Sequence, residues 1–194
     1  MRIIGGDLRR RNLAGPINPR DRTLLRPTSD RMREAIFNIL AHGDYPPFMD
    51  AQVLDLFAGT GAMGIEALSR GAERAIFVDN GREAQTILKQ NITTLGLTNR
   101  ARVVTTDVMR FAGAGGGPFD FVFCDAPYER GMTRPALDAL IAGNMLAEDG
   151  VIVVETGIDE TLDLPSGLAM TGQRHYGSGR IRILRVADTD VRDT

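Results

Sequence analysis

Short apolar runs alternate with amphipathic stretches along most of the chain. Val53-Leu54-Asp55-Leu56-Phe57 is apolar and runs into glycines, which predicts a buried strand. Ala62 to Arg70 follows as a helix with Gly71 as its stop. The pattern then repeats. Ala75–Asp79 reads as a strand, Arg82–Leu95 as a helix turning Ala84, Ile87, Leu88 and Leu95 inward, and Arg102–Asp107 as a third strand. After the flexible stretch Gly113–Pro118 come a strand at Phe119–Asp125, a helix at Pro135–Ala142 and a strand at Gly150–Glu155. Two further strands, Ala169–Tyr176 and Arg180–Val186, are joined at Gly177-Ser178-Gly179 as a hairpin.

Upstream, Arg2-Ile3-Ile4 and Arg11-Asn12-Leu13 flank the turn residues Gly5-Gly6-Asp7 and read as a small hairpin arm. Pro16, Pro19 and Pro27 mark an extended linker. Thr28, Ser29 and Asp30 offer cap oxygens to a helix whose inward stripe is Met32, Ala35, Ile36, Ile39 and Leu40. The organisation expected is therefore an arm and linker over 1–27, an α/β domain over 28–188 and a frayed polar tail over 189–194. Alternating apolar strands and helices imply a mostly parallel seven-stranded sheet with helices on both faces and an antiparallel edge hairpin at the C-terminal end.

Ligands of such sheets bind outside the carboxyl ends of the strands, where the strand order reverses. That rule selects Asp55–Gly61, Asp79, Asp107 and Asp125–Tyr128, each at a predicted strand end.

Composition narrows the class. The chain has 194 residues, 43% hydrophobic and 25% charged, which suits one soluble domain with a real core. No apolar run is long enough to cross a membrane and no leader-like stretch opens the chain, so a cytoplasmic protein is expected. The single cysteine, Cys124, excludes an internal disulfide, and no Cys/His spacing suggests a metal. The charge is uneven. Residues 1–33 carry nine arginines against three aspartates, a net +6, which leaves −8 on the remainder of a chain whose total is −2. Twenty-two arginines against one lysine reflect a compositional bias, but bias does not explain clustering. A basic arm of forked guanidiniums on an acidic body suits phosphate, hence nucleic acid.

The turn Asp55-Leu56-Phe57-Ala58-Gly59-Thr60-Gly61-Ala62-Met63-Gly64 contains G-x-G-x-x-G, and Asp79 lies 20 positions after Gly59. Alone this fits a dinucleotide site, with Asp79 on a ribose diol; it also fits a tight strand-to-helix turn with no ligand. Asp55 separates the ligands. An acid beside a pyrophosphate repels it, whereas S-adenosylmethionine carries a sulfonium and an ammonium and no phosphate. Asp107 can accept from an adenine amine or simply cap a turn. Asp125-Ala126-Pro127-Tyr128 supplies a carboxylate, a neighbouring carbonyl and an aromatic face. Stacking a base on such a face contributes about 1–3 kcal/mol. Two acceptors orient an exocyclic amine so that its lone pair meets the methyl, and Asp125 stabilises the charge that develops on nitrogen. Cys124, Met63 and Met145 read as core, His42 and His175 have no partner at useful spacing, and Glu155 ends a strand near the pocket.

DLFAGTGAMGIEALSRGA (55–72), Asp79, Asp107 and the DAPY element resemble class I S-adenosylmethionine-dependent methyltransferases acting on amino groups, which have a Rossmann-like fold. RIIGG (2–6) and RPTSDRMREAIFNIL (26–40) narrow the resemblance to the bacterial 16S rRNA guanine-N2 methyltransferase family, whose conventional name places the target guanine at position 966. The resemblance runs from Arg2 to about Val186. It implies that Phe57, Ala58, Gly59, Thr60 and Gly61 contact the methionine part beside Asp55, Asp79 the ribose, and Asp107 with Val108 the adenine. It implies that Asp125, Pro127 and Tyr128 hold the guanine amine and that Arg9, Arg10, Arg11, Arg26 and Arg31 grip RNA phosphates. The product would be S-adenosylhomocysteine. The partner would be 16S rRNA in the small subunit or its assembly intermediate, met by a monomer without metal, with the base turned out of its stack. The chain departs at Ala126, where the family usually has proline; the acceptor carbonyl survives and the loop loses stiffness. The competing readings are an adenine-N6 DNA methyltransferase, for which 194 residues leave no target-recognition domain, an inactive RNA-binding assembly factor, and an NAD-dependent oxidoreductase.

Overall fold

The computed structural model describes residues 1–15, 29–114, 116–127, 131–177 and 179–187. The linker 16–27 with Arg26, the cap candidate Thr28, Tyr128, Ser178 and the tail 189–194 lie outside the described residues. The elements are α1 (Asp30–His42), β1 (Gln52–Leu56), α2 (Ala62–Ser69), β2 (Arg74–Val78), α3 (Arg82–Thr94), β3 (Ala101–Val104), α4 (Val108–Ala112), β4 (Phe119–Cys124), α5 (Thr133–Ala142), β5 (Leu146–Gly157), β6 (Leu168–Tyr176) and β7 (Gly179–Val186). The seven strands order as β3-β2-β1-β4-β5-β7-β6. β1 to β5 are parallel, and β7 runs antiparallel between β5 and β6. The chain moves outward from β1 to β3, then returns to place β4 on the other side of β1. The crevice of the topological switch therefore opens at the carboxyl ends of β1 and β4.

The central strands are apolar on both faces because both faces are covered. Val53, Phe77, Phe121, Phe123, Val151 and Val153 pack under α1, α2 and α3. Leu54, Leu56, Val78, Val122, Ile152 and Val154 pack under α4 and α5.

Three local outcomes differ from the pattern. In α1, capped by the Ser29 hydroxyl on the Met32 N–H, the buried face is Met32, Arg33, Ile36, Phe37 and Leu40, with Ala35 and Ile39 only half-buried. Phe37 takes the central place because its ring meets those of Phe48 and Phe123, 5.0 and 5.5 Å away between centroids. α4 occupies part of the stretch between the third and fourth strands; five residues are too few for a helical period to show. β5 begins at Leu146, where the β4 pairing shifts register across the Asp149-Gly150 turn chemistry.

The N-terminal hairpin docks on this frame. Its strands meet at Arg2 and Asn12, and Ile3 and Leu13 are buried in the α1–α3 core. The Glu66 carboxylate on α2 accepts from the Ile4 and Gly5 N–H groups, both at 2.8 Å, and from Arg70 Nε at 2.9 Å. Arg33, counted with the basic arm by charge alone, is fully buried. Its guanidinium lies 3.7 Å from Glu66, donates to Asp30 Oδ1 at 2.9 Å and donates to the Arg2 carbonyl. The hairpin turn presses so closely on α2 that a Cβ at Gly6, whose φ is +72°, would lie 1.8 Å from the Ser69 carbonyl oxygen.

Candidate active site at the strand ends

β1 leaves the sheet into a turn with three left-handed residues: Phe57 (φ +56°), Gly59 (+54°) and Gly61 (+79°). An aromatic residue at positive φ is uncommon and costly, and such strain concentrates at functional sites. The turn is pinned by Ala58 N–H on the Val78 carbonyl (3.1 Å) and by Gly61 N–H on the Ala58 carbonyl (2.7 Å). Two of the motif's glycines serve packing. A Cβ at Gly61 would sit 2.3 Å from Leu88 Cδ1, and one at Gly64 would sit 2.4 Å from Phe77 Cε1. The helix can thus lie close on the strands only without those side chains.

Asp79 follows β2 and bridges two backbone donors, accepting from Gly59 N–H at 2.8 Å and from Gly81 N–H at 2.7 Å. Asp55 sits beneath the turn, only 3% exposed, and accepts from Gly64 N–H at 2.9 Å. Burial pushes its carboxyl up to about 8; the Gly64 N–H opposes that rise and the negative Asp79 adds to it. Among the described residues no cation forms an ion pair with Asp55. A buried carboxylate without a counter-charge, facing a turn held open by positive-φ residues, fits a ligand that brings positive charge.

Asp107 is exposed and caps α4, accepting from Arg110 N–H at 3.1 Å, while Val108 is buried. Its turn-capping role is thus realised. At β4, Cys124 is a core residue whose thiol is pushed up to about 12, by burial first and the Asp125 charge second. Asp125 is half-buried, Ala126 buried and Pro127 exposed. The pairings Leu56↔Val78, Leu56↔Cys124 and Cys124↔Val154 bring the ends of β2, β1 and β4 side by side against β5, and Asp79, Phe57, Asp125 and Glu155 are the next residues along these four neighbouring strands. Neighbouring strands are about 4.8 Å apart, so Asp125 stands next to the glycine turn at the switch point.

On the arm, Arg9, Arg10 and Arg11 are exposed, as is Arg31 in the first turn of α1. Sequence reasoning passed over Asn91 of α3. It is 3% exposed and bonds both the arm and the glycine turn. The signal was present: a polar residue in line with the inward Ile87, Leu88 and Leu95. Among the described residues no group of three or more His, Cys, Asp or Glu side chains could hold a metal, and no helix is long and apolar enough to cross a membrane.

Comparison with known proteins agrees with this geometry. A family model described as Conserved hypothetical protein 95 matches residues 1–185. The Ribosomal RNA small subunit methyltransferase D of Escherichia coli K12 is 42% identical over 184 residues, which cover 94% of this chain and 88% of that protein. Its namesake in Haemophilus influenzae is 33% identical over 156 residues, 79% of each chain. The solved structure of the Escherichia coli protein yhhF superposes with a TM-score of 0.81 at 37% identity, covering 96% of this chain and 97% of that one. By sequence over nearly its whole length, and by fold, the chain belongs to the Conserved hypothetical protein 95 family, the family of the proteins called ribosomal RNA small subunit methyltransferase D.

Proposed function

We propose that this protein transfers a methyl group from S-adenosylmethionine to the exocyclic N2 of a guanine in 16S rRNA, at position 966 by the family resemblance. The observation that carries the reading is the pairing of the β1 and β4 ends, after which the glycine turn and Asp125 follow along neighbouring strands. S-adenosylmethionine supplies a methyl already activated on a sulfonium. The chain's own residues bind and orient. Phe57 to Gly61 line the methionine part, and Asp55 places a negative charge under its positive groups. Asp79 takes the ribose, and Asp107 with Val108 takes the adenine. Asp125 accepts an N–H of the guanine amine, and Pro127 and Tyr128 frame the base. As the N–C bond forms and the C–S bond breaks, positive charge grows on nitrogen and Asp125 stabilises it. The amine then loses a proton, leaving S-adenosylhomocysteine and N2-methylguanine. No strong base is required, because the methyl is already electrophilic and positioning lowers the barrier.

The donor pocket is tested by its proton balance. The folded pKa of Asp55 stands above its ordinary 3.8, at about 8, so the free protein loses stability as pH rises across that window. A cationic ligand favours the ionised form. At pH 6–7, S-adenosylmethionine should therefore displace a proton from Asp55, and its affinity should rise with pH up to about 8. Calorimetry in two buffers of different ionisation enthalpy reads the released proton. Asp55→Asn should bind more weakly and release none. NAD should bind neither form.

The arm is tested by salt. Reversing Arg9, Arg10 and Arg11 to Glu should weaken binding to unmethylated 30S particles and reduce the slope of log affinity against log salt by about 1–3, depending on how many of the three meet phosphate. An unchanged slope would remove phosphate contact from the arm.

A further inference from the structure

The arm that would meet RNA and the turn that would hold the methyl donor share one buried side chain. Asn91 projects from α3 and is 3% exposed. Its Oδ1 accepts from the Ala14 N–H at 2.8 Å. Its Nδ2 donates to the Ala14 carbonyl at 3.2 Å and to the Thr60 carbonyl at 3.0 Å. Both amide hydrogens and one oxygen lone pair are thereby used. Ala14 follows Leu13, which is anchored in the core. Thr60 stands between Gly59 and Gly61, two of the turn's left-handed residues. A fixed Thr60 carbonyl therefore fixes the peptide planes on which the turn's shape depends. An apolar residue at this place in the inward stripe would take from the Ala14 N–H and from the Ala14 and Thr60 carbonyls the partner that the amide supplies.

We infer that Asn91 is a positioning residue that couples the two ligands: RNA bound on the docked arm also steadies the glycine turn in its donor-binding shape, and the donor in turn steadies the arm. The inference rests on the functional reading above, since it takes the arm as the RNA contact and the turn as the donor contact. Coupling of this kind is reciprocal by thermodynamic necessity.

The test measures S-adenosylmethionine affinity with and without unmethylated 30S particles. In the wild-type protein, the particles should tighten donor binding about fivefold or more, within the usual range of coupling. Asn91→Leu keeps the volume and the apolar stripe but removes all three bonds. It should bind S-adenosylmethionine alone more weakly, because the turn loses its bond to α3, while the factor by which the particles tighten donor binding falls to near one. Hydrogen exchange on the wild-type protein supplies a second readout that needs no variant: adding S-adenosylmethionine alone should slow exchange of the Ala14 amide. Coupling retained in Asn91→Leu, no coupling in the wild type, or an Ala14 amide indifferent to the donor would each overturn the inference while leaving the functional reading intact. A wild-type protein that binds no S-adenosylmethionine would overturn both.

Discussion

Asp125→Ala should lower the rate of methyl transfer to 30S particles by about 10²–10³-fold, the range seen when one preorganised group facing transition-state charge is removed. On the proposed reading the effect belongs to the chemical step, because Asp125 follows β4 and is assigned to the guanine amine, whereas the donor is assigned to the residues that follow β1 and β2. Donor affinity should therefore stay within about threefold of wild type, and the loss should appear in kcat. Asp125→Asn keeps an acceptor oxygen without its charge and should fall between the two. Single-turnover kinetics with labelled S-adenosylmethionine, together with donor affinity by calorimetry, make this separation. Full activity in Asp125→Ala would withdraw the amine-holding role.

The largest effect on stability is expected from Glu66→Ala. Glu66 is fully buried and meets two arm N–H groups and Arg70, with the buried Arg33 at 3.7 Å. Removing it takes one of two carboxylates from the buried Arg33, Asp30 being the other, and the acceptor from two half-buried backbone donors. Breaking a buried pair from one side costs about 3–5 kcal/mol. For a chain of this size that lowers Tm by on the order of 10 °C. Replacing Arg33 and Glu66 together by methionine should recover much of the loss, since the uncompensated charge is then gone. Thermal unfolding of the two variants against wild type measures both effects. A loss below about 1 kcal/mol in Glu66→Ala would mean that the hairpin is not held through this carboxylate.

The legible parts of the fold were those decided by local pattern. Apolar strands such as Val53–Leu56 and Phe121–Cys124 announced a sheet covered on both sides, and glycine and aspartate at their ends announced the switch-point crevice. The illegible parts depend on partners distant in sequence. Arg33 reads as a surface charge until Glu66, on another helix, is brought against it. Asn91 reads as an imperfection in an apolar stripe until Ala14 and Thr60 converge on it. Nothing in the letters around Phe57 signals a left-handed backbone at an aromatic residue. Asp107 carried two readings, and the structure shows the cap on α4. The adjacency of β1 and β4, which the glycine turn and Asp125 follow, did come from sequence, because strand order in a parallel sheet with right-handed crossovers leaves few alternatives.

The account stands or falls on what the protein modifies. Incubated with labelled S-adenosylmethionine and unmethylated 30S particles, it should place label on one guanine of 16S rRNA, and nuclease digestion should release N2-methylguanosine. Label on adenine or on a ring nitrogen, or none on any RNA while S-adenosylmethionine is bound, would contradict it.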